Sequence, residues 1–166
     1  FMKGRNVEAF PEAVRAVAAA GHEIGNHSYE HKPMLSFAKT GYRDEILKTN
    51  RALSRILQYP PTLFRPPYGA QGVGLKLALQ ELKMQSVIMG AAGNDWEETD
   101  PRVIADTVLA DVLPGTIILL HDGHGDVQDP DTQNSRSASV TATELIIEAL
   151  HADGYQITTV GELLKK

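Results

Sequence analysis

The sequence predicts a mixed α/β fold built on a parallel sheet, and three observations carry that reading. Helical and strand-like segments alternate from one end of the chain to the other, the pattern of successive strand–helix units. The run TIILL, Thr116 to Leu120, is apolar throughout and bounded by turn residues, as expected of a strand buried on both faces. The polar residues most suited to chemistry fall just after the segments that read as strands, where parallel α/β folds collect reactive groups. Alternation alone does not separate an open doubly wound sheet from a barrel.

Each element has its own local signal. FMKG, Phe1 to Gly4, reads as the tail of a strand closed by a turn glycine, so the natural polypeptide is expected to extend upstream. Pro11 to Ala20 is a predicted helix, with proline near its start and Gly21 as its stop. His22 to Ile24 should be a short strand leading into GNHSYEH. The next helix covers about Tyr42 to Leu57, with Ile46, Leu53, Ile56 and Leu57 on one face. Thr62 to Phe64 can be strand, crowded by prolines and a glycine. A helix over Gly74 to Lys83 repeats Leu75, Leu79 and Leu82, and SVIMG, Ser86 to Gly90, is a short strand. Asp100 and Pro101 make a strong helix start, and that helix should run to Leu113. Gly125 to Ser139 is a polar loop, Thr141 to Ala152 a helix, and YQITTV, Tyr155 to Val160, a last strand.

Composition narrows the function classes. The 166 residues suffice for one domain with a real core, and 42% hydrophobic against 22% charged residues argues against disorder. A net charge of −5 offers no footprint for nucleic acid. No apolar run approaches the ~20 residues of a membrane span. Cysteine is absent, so any metal here must be held by His, Asp or Glu.

Four polar clusters follow the strand-like segments: His27 and His31, Arg65 and Tyr68, Asp95 and Trp96, then His121 and Asp122. Two histidines at i and i+4 can share a metal ion, although the same spacing occurs by chance on polar turns. Arg65 could equally pair with a surface acid, Trp96 could be core, and Asp122 before Gly123 could form a turn. His121 is harder to explain away, because a histidine after five apolar residues needs a polar partner if buried. His22, His124 and His151 carry no such context and read as solvated.

A metal held by two histidines and a carboxylate keeps a position open for water, which suits hydrolysis of an ester or amide. His121 suits the acid, with Asp95 orienting it. The backbone N–H of Tyr68 could bind an oxyanion, and Arg65 could position a carboxylate base. The third ligand and the base stay unassigned, with Asp122 available for either.

In this order the clusters resemble the polysaccharide deacetylases, the NodB-homology or carbohydrate esterase four family. The motif H-[ST]-x-x-H resembles His27-Ser28-Tyr29-Glu30-His31, and R-x-P-Y resembles Arg65-Pro66-Pro67-Tyr68. D-W resembles Asp95-Trp96, and L-x-H resembles Leu119-Leu120-His121. The resemblance spans essentially residues 1–166 as one NodB-homology domain, N-terminally incomplete. It implies a distorted (β/α) barrel, here missing its first β/α unit. It also implies metal-dependent deacetylation of an acetylated glycan such as peptidoglycan, chitin oligomers or xylan, in a secreted or cell-envelope protein. His27 and His31 would hold a divalent metal, zinc above all, with cobalt, manganese or nickel as alternatives. His121 would be the acid oriented by Asp95, Arg65 would hold the base, and Tyr68 would supply an oxyanion N–H. Trp96 and Leu119 would line the pocket for the acetyl methyl.

One family motif, T-F-D-D-G, is absent, and with it the two aspartates that supply base and third ligand. The preferred reading is a chain whose missing aspartates lie in an upstream segment or on a second polypeptide. The alternative is an inactive carbohydrate-binding or scaffold relative. A hydrolase of small amides on the same fold is a third reading. Ala92 stands where some members carry another aspartate, so orientation of the acid rests on Asp95.

Overall fold

The computed structural model describes residues 1–35, 39–123 and 136–165, and the chain divides into two compact units, Phe1–Ile88 and Met89–Lys166. In the first unit, helices α1 (Gly4–Ala9), α2 (Pro11–Ala19) and α3 (Lys39–Leu57) precede strand β1 (Leu63–Phe64). A single 3-10 turn (Pro67–Gly69), helix α4 (Val73–Glu81) and strand β2 (Gln85–Ser86) complete it. In the second unit the order is β3 (Ala91–Ala92), α5 (Pro101–Asp111), β4 (Ile118–Leu119), α6 (Ser137–Ala152) and α7 (Val160–Leu163).

All the described strand pairing is parallel, as the alternation of elements predicts. Met2 bridges Asn26, Asn26 bridges Phe64, and β1 pairs β2 in the register Leu63 to Gln85 and Phe64 to Ser86. In the second unit β3 pairs β4, Ala91 opposite Ile118 and Ala92 opposite Leu119. The helices supply the core because their apolar residues recur on one face. Ile46, Phe64, Leu75 and Leu79 form one buried cluster with Met34 and Tyr42. Val7, Val14, Ile24, Ala52 and Leu53 form another in the same unit. Such fully buried side chains each contribute about 1.5–3 kcal/mol by leaving water. In the second unit Ala105 and Val108 of α5 meet Ile146 and Leu150 of α6 over Ala91. Helix α5 starts as expected: Pro101 is its first residue and the Asp100 carboxylate accepts the Arg102 N–H at 2.8 Å.

Several sequence expectations need correction. Among the described residues the strands are only two residues long, because few positions in each extended run complete a ladder on a neighbour. His22–Ile24 is not a strand; pairing is confined to Asn26, whose N–H reaches the Leu63 carbonyl at 2.9 Å. SVIMG is not one strand either. Ser86 belongs to β2, the Val87 N–H goes to the Phe64 carbonyl, and the Gly90 N–H goes to the Ile117 carbonyl. YQITTV forms no ladder, with Ile157 exposed. Its end instead starts α7, where Thr159 and Glu162 make a reciprocal capping box. Gly4, expected as a turn, opens α1. Helix α6 begins at Ser137, so the end of the expected Gly125–Ser139 loop is helical, while residues 125–135 and His124 lie outside the described residues. Among the described residues no helix is long and apolar enough to cross a membrane.

Candidate functional site

The site residues of the first unit hang from the ends of its parallel pairings: His27 directly follows Asn26, and Arg65 directly follows Phe64. Asn26 is fully buried and fixes the loop. Its side-chain amide donates to the Ile46 carbonyl (2.9 Å) and to Asn50 Oδ1 (2.7 Å), and its Oδ1 accepts the Ser28 N–H (2.8 Å). The Ser28 hydroxyl oxygen accepts the His31 N–H at 2.9 Å. Ser28 and His31 both have left-handed backbones, φ 62° and 59°. That conformation costs an L-residue roughly 1–2 kcal/mol, so the hydrogen bonds must hold it.

The result brings the two imidazoles together, with ring centroids 4.8 Å apart and planes at 68°. His27 Nδ1 lies 2.7 Å from the Arg65 carbonyl oxygen. A carbonyl can only accept, so Nδ1 carries the proton and the Nε2 lone pair is left for another partner. Burial pushes the His27 pKa down to about 3; its bond to the Arg65 carbonyl opposes the shift, and neighbouring His31 and Arg65 add to it. Neutral His27 is thereby in the state a metal ligand requires. The Tyr68 ring stands 4.8 Å from the His31 ring. Tyr68 sits in the Pro67–Gly69 turn at φ 58°, with its side chain exposed. The Arg65 guanidinium packs 4.2 Å from the Phe1 ring centroid, and its buried Nε has no hydrogen-bond partner among the described residues. Burial lowers its pKa from the ordinary arginine value.

The second unit holds the other cluster. Asp95 follows β3 and His121 follows β4, and the two form the pair expected from sequence. The Asp95 side chain is completely buried and accepts three hydrogen bonds. His121 gives two of them, from its backbone N–H and from Nδ1, each at 2.8 Å, and the Ser139 hydroxyl gives the third at 2.7 Å. Burial alone would push this carboxyl up, but the donors on His121 and Ser139 outweigh it and hold the pKa below the ordinary aspartate value. Arg136 donates to the Asp95 backbone carbonyl. Trp96, for which a core position is the alternative reading, is half-exposed, its ring edge-on to His121 with centroids 5.7 Å apart. Leu119 is buried in β4, and Asp122 is exposed.

Sequence reasoning missed Ser139, which it placed in a loop, and passed over Asn26 and Glu45. An asparagine directly before the first histidine was the one available signal. Among the described residues no three His, Asp or Glu groups converge as a metal site.

Comparison with known proteins places the chain in a family. Residues 1–87 match the polysaccharide deacetylase family model. The chain belongs to the polysaccharide deacetylases. This deacetylase-family chain is 31% identical to a peptidoglycan-N-acetylglucosamine deacetylase of Bacillus cereus over 165 residues, covering 99% of the chain and 57% of that relative. It therefore spans little more than half of that protein. It is also 31% identical to a chitooligosaccharide deacetylase of Bradyrhizobium, with 98% of the chain and 76% of the relative covered. Among solved structures it resembles a pseudoenzyme of carbohydrate esterase family four from Bacillus anthracis, with TM-score 0.86, 26% identity, and coverage of 98% of this chain and 53% of that one.

Proposed function

We propose that this chain carries the histidine pair and the acid dyad of a metal-dependent hydrolase that releases acetate from an N- or O-acetylated glycan. Peptidoglycan and chitin oligomers are the favoured substrates, since the relatives named above act on them. The observation that supports this most is the fixed His27 tautomer: Nδ1 is bound to the Arg65 carbonyl, and the neutral ring stands beside His31. A preset imidazole of this kind suits a divalent cation, zinc first and cobalt, manganese or nickel after it.

His27 and His31 would hold that cation. When bound, it supplies Lewis acidity, polarising the acetyl carbonyl and lowering the pKa of a water. His121 delivers the proton to the departing nitrogen or oxygen, and Asp95 keeps its Nδ1 occupied so that Nε2 makes the transfer. The Tyr68 backbone N–H steadies the negative oxygen that develops on the acetyl carbon. Arg65 receives the carboxylate that acts as base, and its unbonded Nε suits that task. Trp96 and Leu119 form the wall against the acetyl methyl. The base and the third ligand come from a paired-aspartate segment upstream or on a second chain, and the complete fold is a distorted (β/α) barrel of a secreted or envelope protein.

The test is metal stoichiometry and acetate release from an acetylated oligosaccharide, with and without that segment. Both should be low for the 166 residues alone and rise together when the aspartates are added. Full activity of the isolated chain refutes the assignment and moves base and ligand to residues such as Asp122. A second reading is an inactive relative that keeps the glycan-binding fold, favoured by the lack of a third converging ligand among the described residues and by the likeness to a pseudoenzyme. Glycan binding without acetate release, after the aspartates are added, would establish it.

A further inference from the structure

The loop between the two histidines is held from two sides by groups that are not themselves candidate ligands. On one side the start of α1 donates to it. The Gly4 N–H reaches the Ser28 carbonyl at 2.9 Å and the Arg5 N–H reaches the Tyr29 carbonyl at 3.3 Å. On the other side a single carboxylate oxygen, Oε2 of Glu45 on α3, accepts the backbone N–H groups of both Tyr29 (3.0 Å) and Glu30 (2.8 Å). Tyr29 and Glu30 are the two residues immediately before His31. Two adjacent peptide N–H groups aimed at one anion form a concave nest, and its geometry fixes the backbone on either side.

Such fixing is needed here, because Ser28 and His31 bracket Tyr29 and Glu30 with left-handed backbones that a free loop would abandon. The Ser28 hydroxyl restrains only the His31 N–H. Glu45 restrains the segment between, so it governs where His31 stands relative to His27. It also lacks the geometry of a ligand: among the described residues it does not join the two histidines in a three-group cluster.

We infer that Glu45 is a positioning residue for the metal pair, setting the His27–His31 separation through the Tyr29 and Glu30 amides. This rests on the reading of His27 and His31 as metal ligands. A glutamine here keeps an oxygen that can accept both N–H groups. An alanine removes the acceptor, and an aspartate is one methylene too short to reach both.

The experiment titrates the full-length polypeptide with zinc and follows Tyr29 and Glu30 amide exchange by NMR, in the parent protein and in Glu45→Ala, Glu45→Asp, Glu45→Gln and His27→Ala. Removing a group that orients a ligand typically weakens metal binding about 10–100-fold. That loss is expected for Glu45→Ala, with faster exchange at both amides, and a smaller loss for Glu45→Asp. Glu45→Gln should stay within about threefold of the parent, and across the variants the loss of zinc affinity should track the exchange of the Tyr29 and Glu30 amides, which mere helix packing by Glu45 would not produce. If Glu45→Ala fails to fold, Glu45→Asp against Glu45→Gln decides the same question. Parent-like zinc affinity in Glu45→Ala or Glu45→Asp, while His27→Ala loses zinc, overturns the positioning role alone. Zinc binding unaffected by His27→Ala overturns the metal reading and this inference with it.

Discussion

Replacing Asp95 with asparagine keeps the shape of the side chain and removes its charge, so it isolates what the buried carboxylate contributes. Asp95 accepts three hydrogen bonds with no exposure of its side chain. Bonds to a charged group are worth about 1.5–3 kcal/mol against about 0.5–1.5 for neutral pairs, a difference near 1 kcal/mol for each. Asparagine can keep two of the three, placing its carbonyl where Oδ2 now meets the His121 N–H and the Ser139 hydroxyl. The charge it loses also sheds a desolvation penalty. The lowered Asp95 pKa shows which side wins: the folded protein favours the ionised form. The net loss should be about 1–2 kcal/mol, a fall in Tm of roughly 2–8 °C for a chain of this size.

At the Oδ1 position the new amide NH2 faces His121 Nδ1, which must then accept instead of donate, and the imidazole proton moves to Nε2. Imidazole 15N shifts should report that exchange of tautomers. On the proposed function, acetate release measured with the paired aspartates supplied should fall by about 10²–10⁴-fold, the range of general acid–base catalysis, with metal content unchanged. An unaltered tautomer together with an unaltered Tm would refute this reasoning. Loss of metal in Asp95→Asn would mean that Asp95 is a ligand.

Three further outcomes are expected. His27 titrates near 6.5 when unfolded and about 3 when folded, so its contribution is fully present above 6.5 and is lost as pH falls through that window. Metal-free protein should therefore lose up to about 1.4 kcal/mol per pH unit between about pH 6 and 4 by urea titration, and His27→Gln should flatten that slope. Gly4→Ala would place its Cβ 2.5 Å from Thr49 Oγ1 and Tyr29 Cδ2, and 3.1 Å from the Tyr29 Cα. Thermal melts should show about 1–3 kcal/mol of destabilisation, and a change under about 0.5 kcal/mol would contradict so close an approach. Ser139→Ala removes one donor from the Asp95 carboxylate, so the Asp95 pKa, read by 13C NMR, should move up toward the ordinary aspartate value.

By itself the sequence determined the alternation of elements, the parallel pairing and the candidate site residues. Those features are local: helical spacing, a capped start at Asp100, and histidines placed four apart are all written in neighbouring residues. The pairing of Asp95 with His121 was also legible, because a histidine after TIILL needs a buried acceptor and the two clusters follow neighbouring strands. Tertiary structure decided the rest. Strand length depends on which backbone positions find a partner, so SVIMG is divided between two pairings and YQITTV finds none. Ser139 stands 44 positions from Asp95, and Glu45 stands 15 from Glu30, in helices whose own patterns concern only packing. No local rule says which polar side chain on a helix will face a loop far away in sequence. That choice is made when the apolar faces of α3 and α6 settle into their cores and carry Glu45 and Ser139 to the backbone and carboxylate they serve.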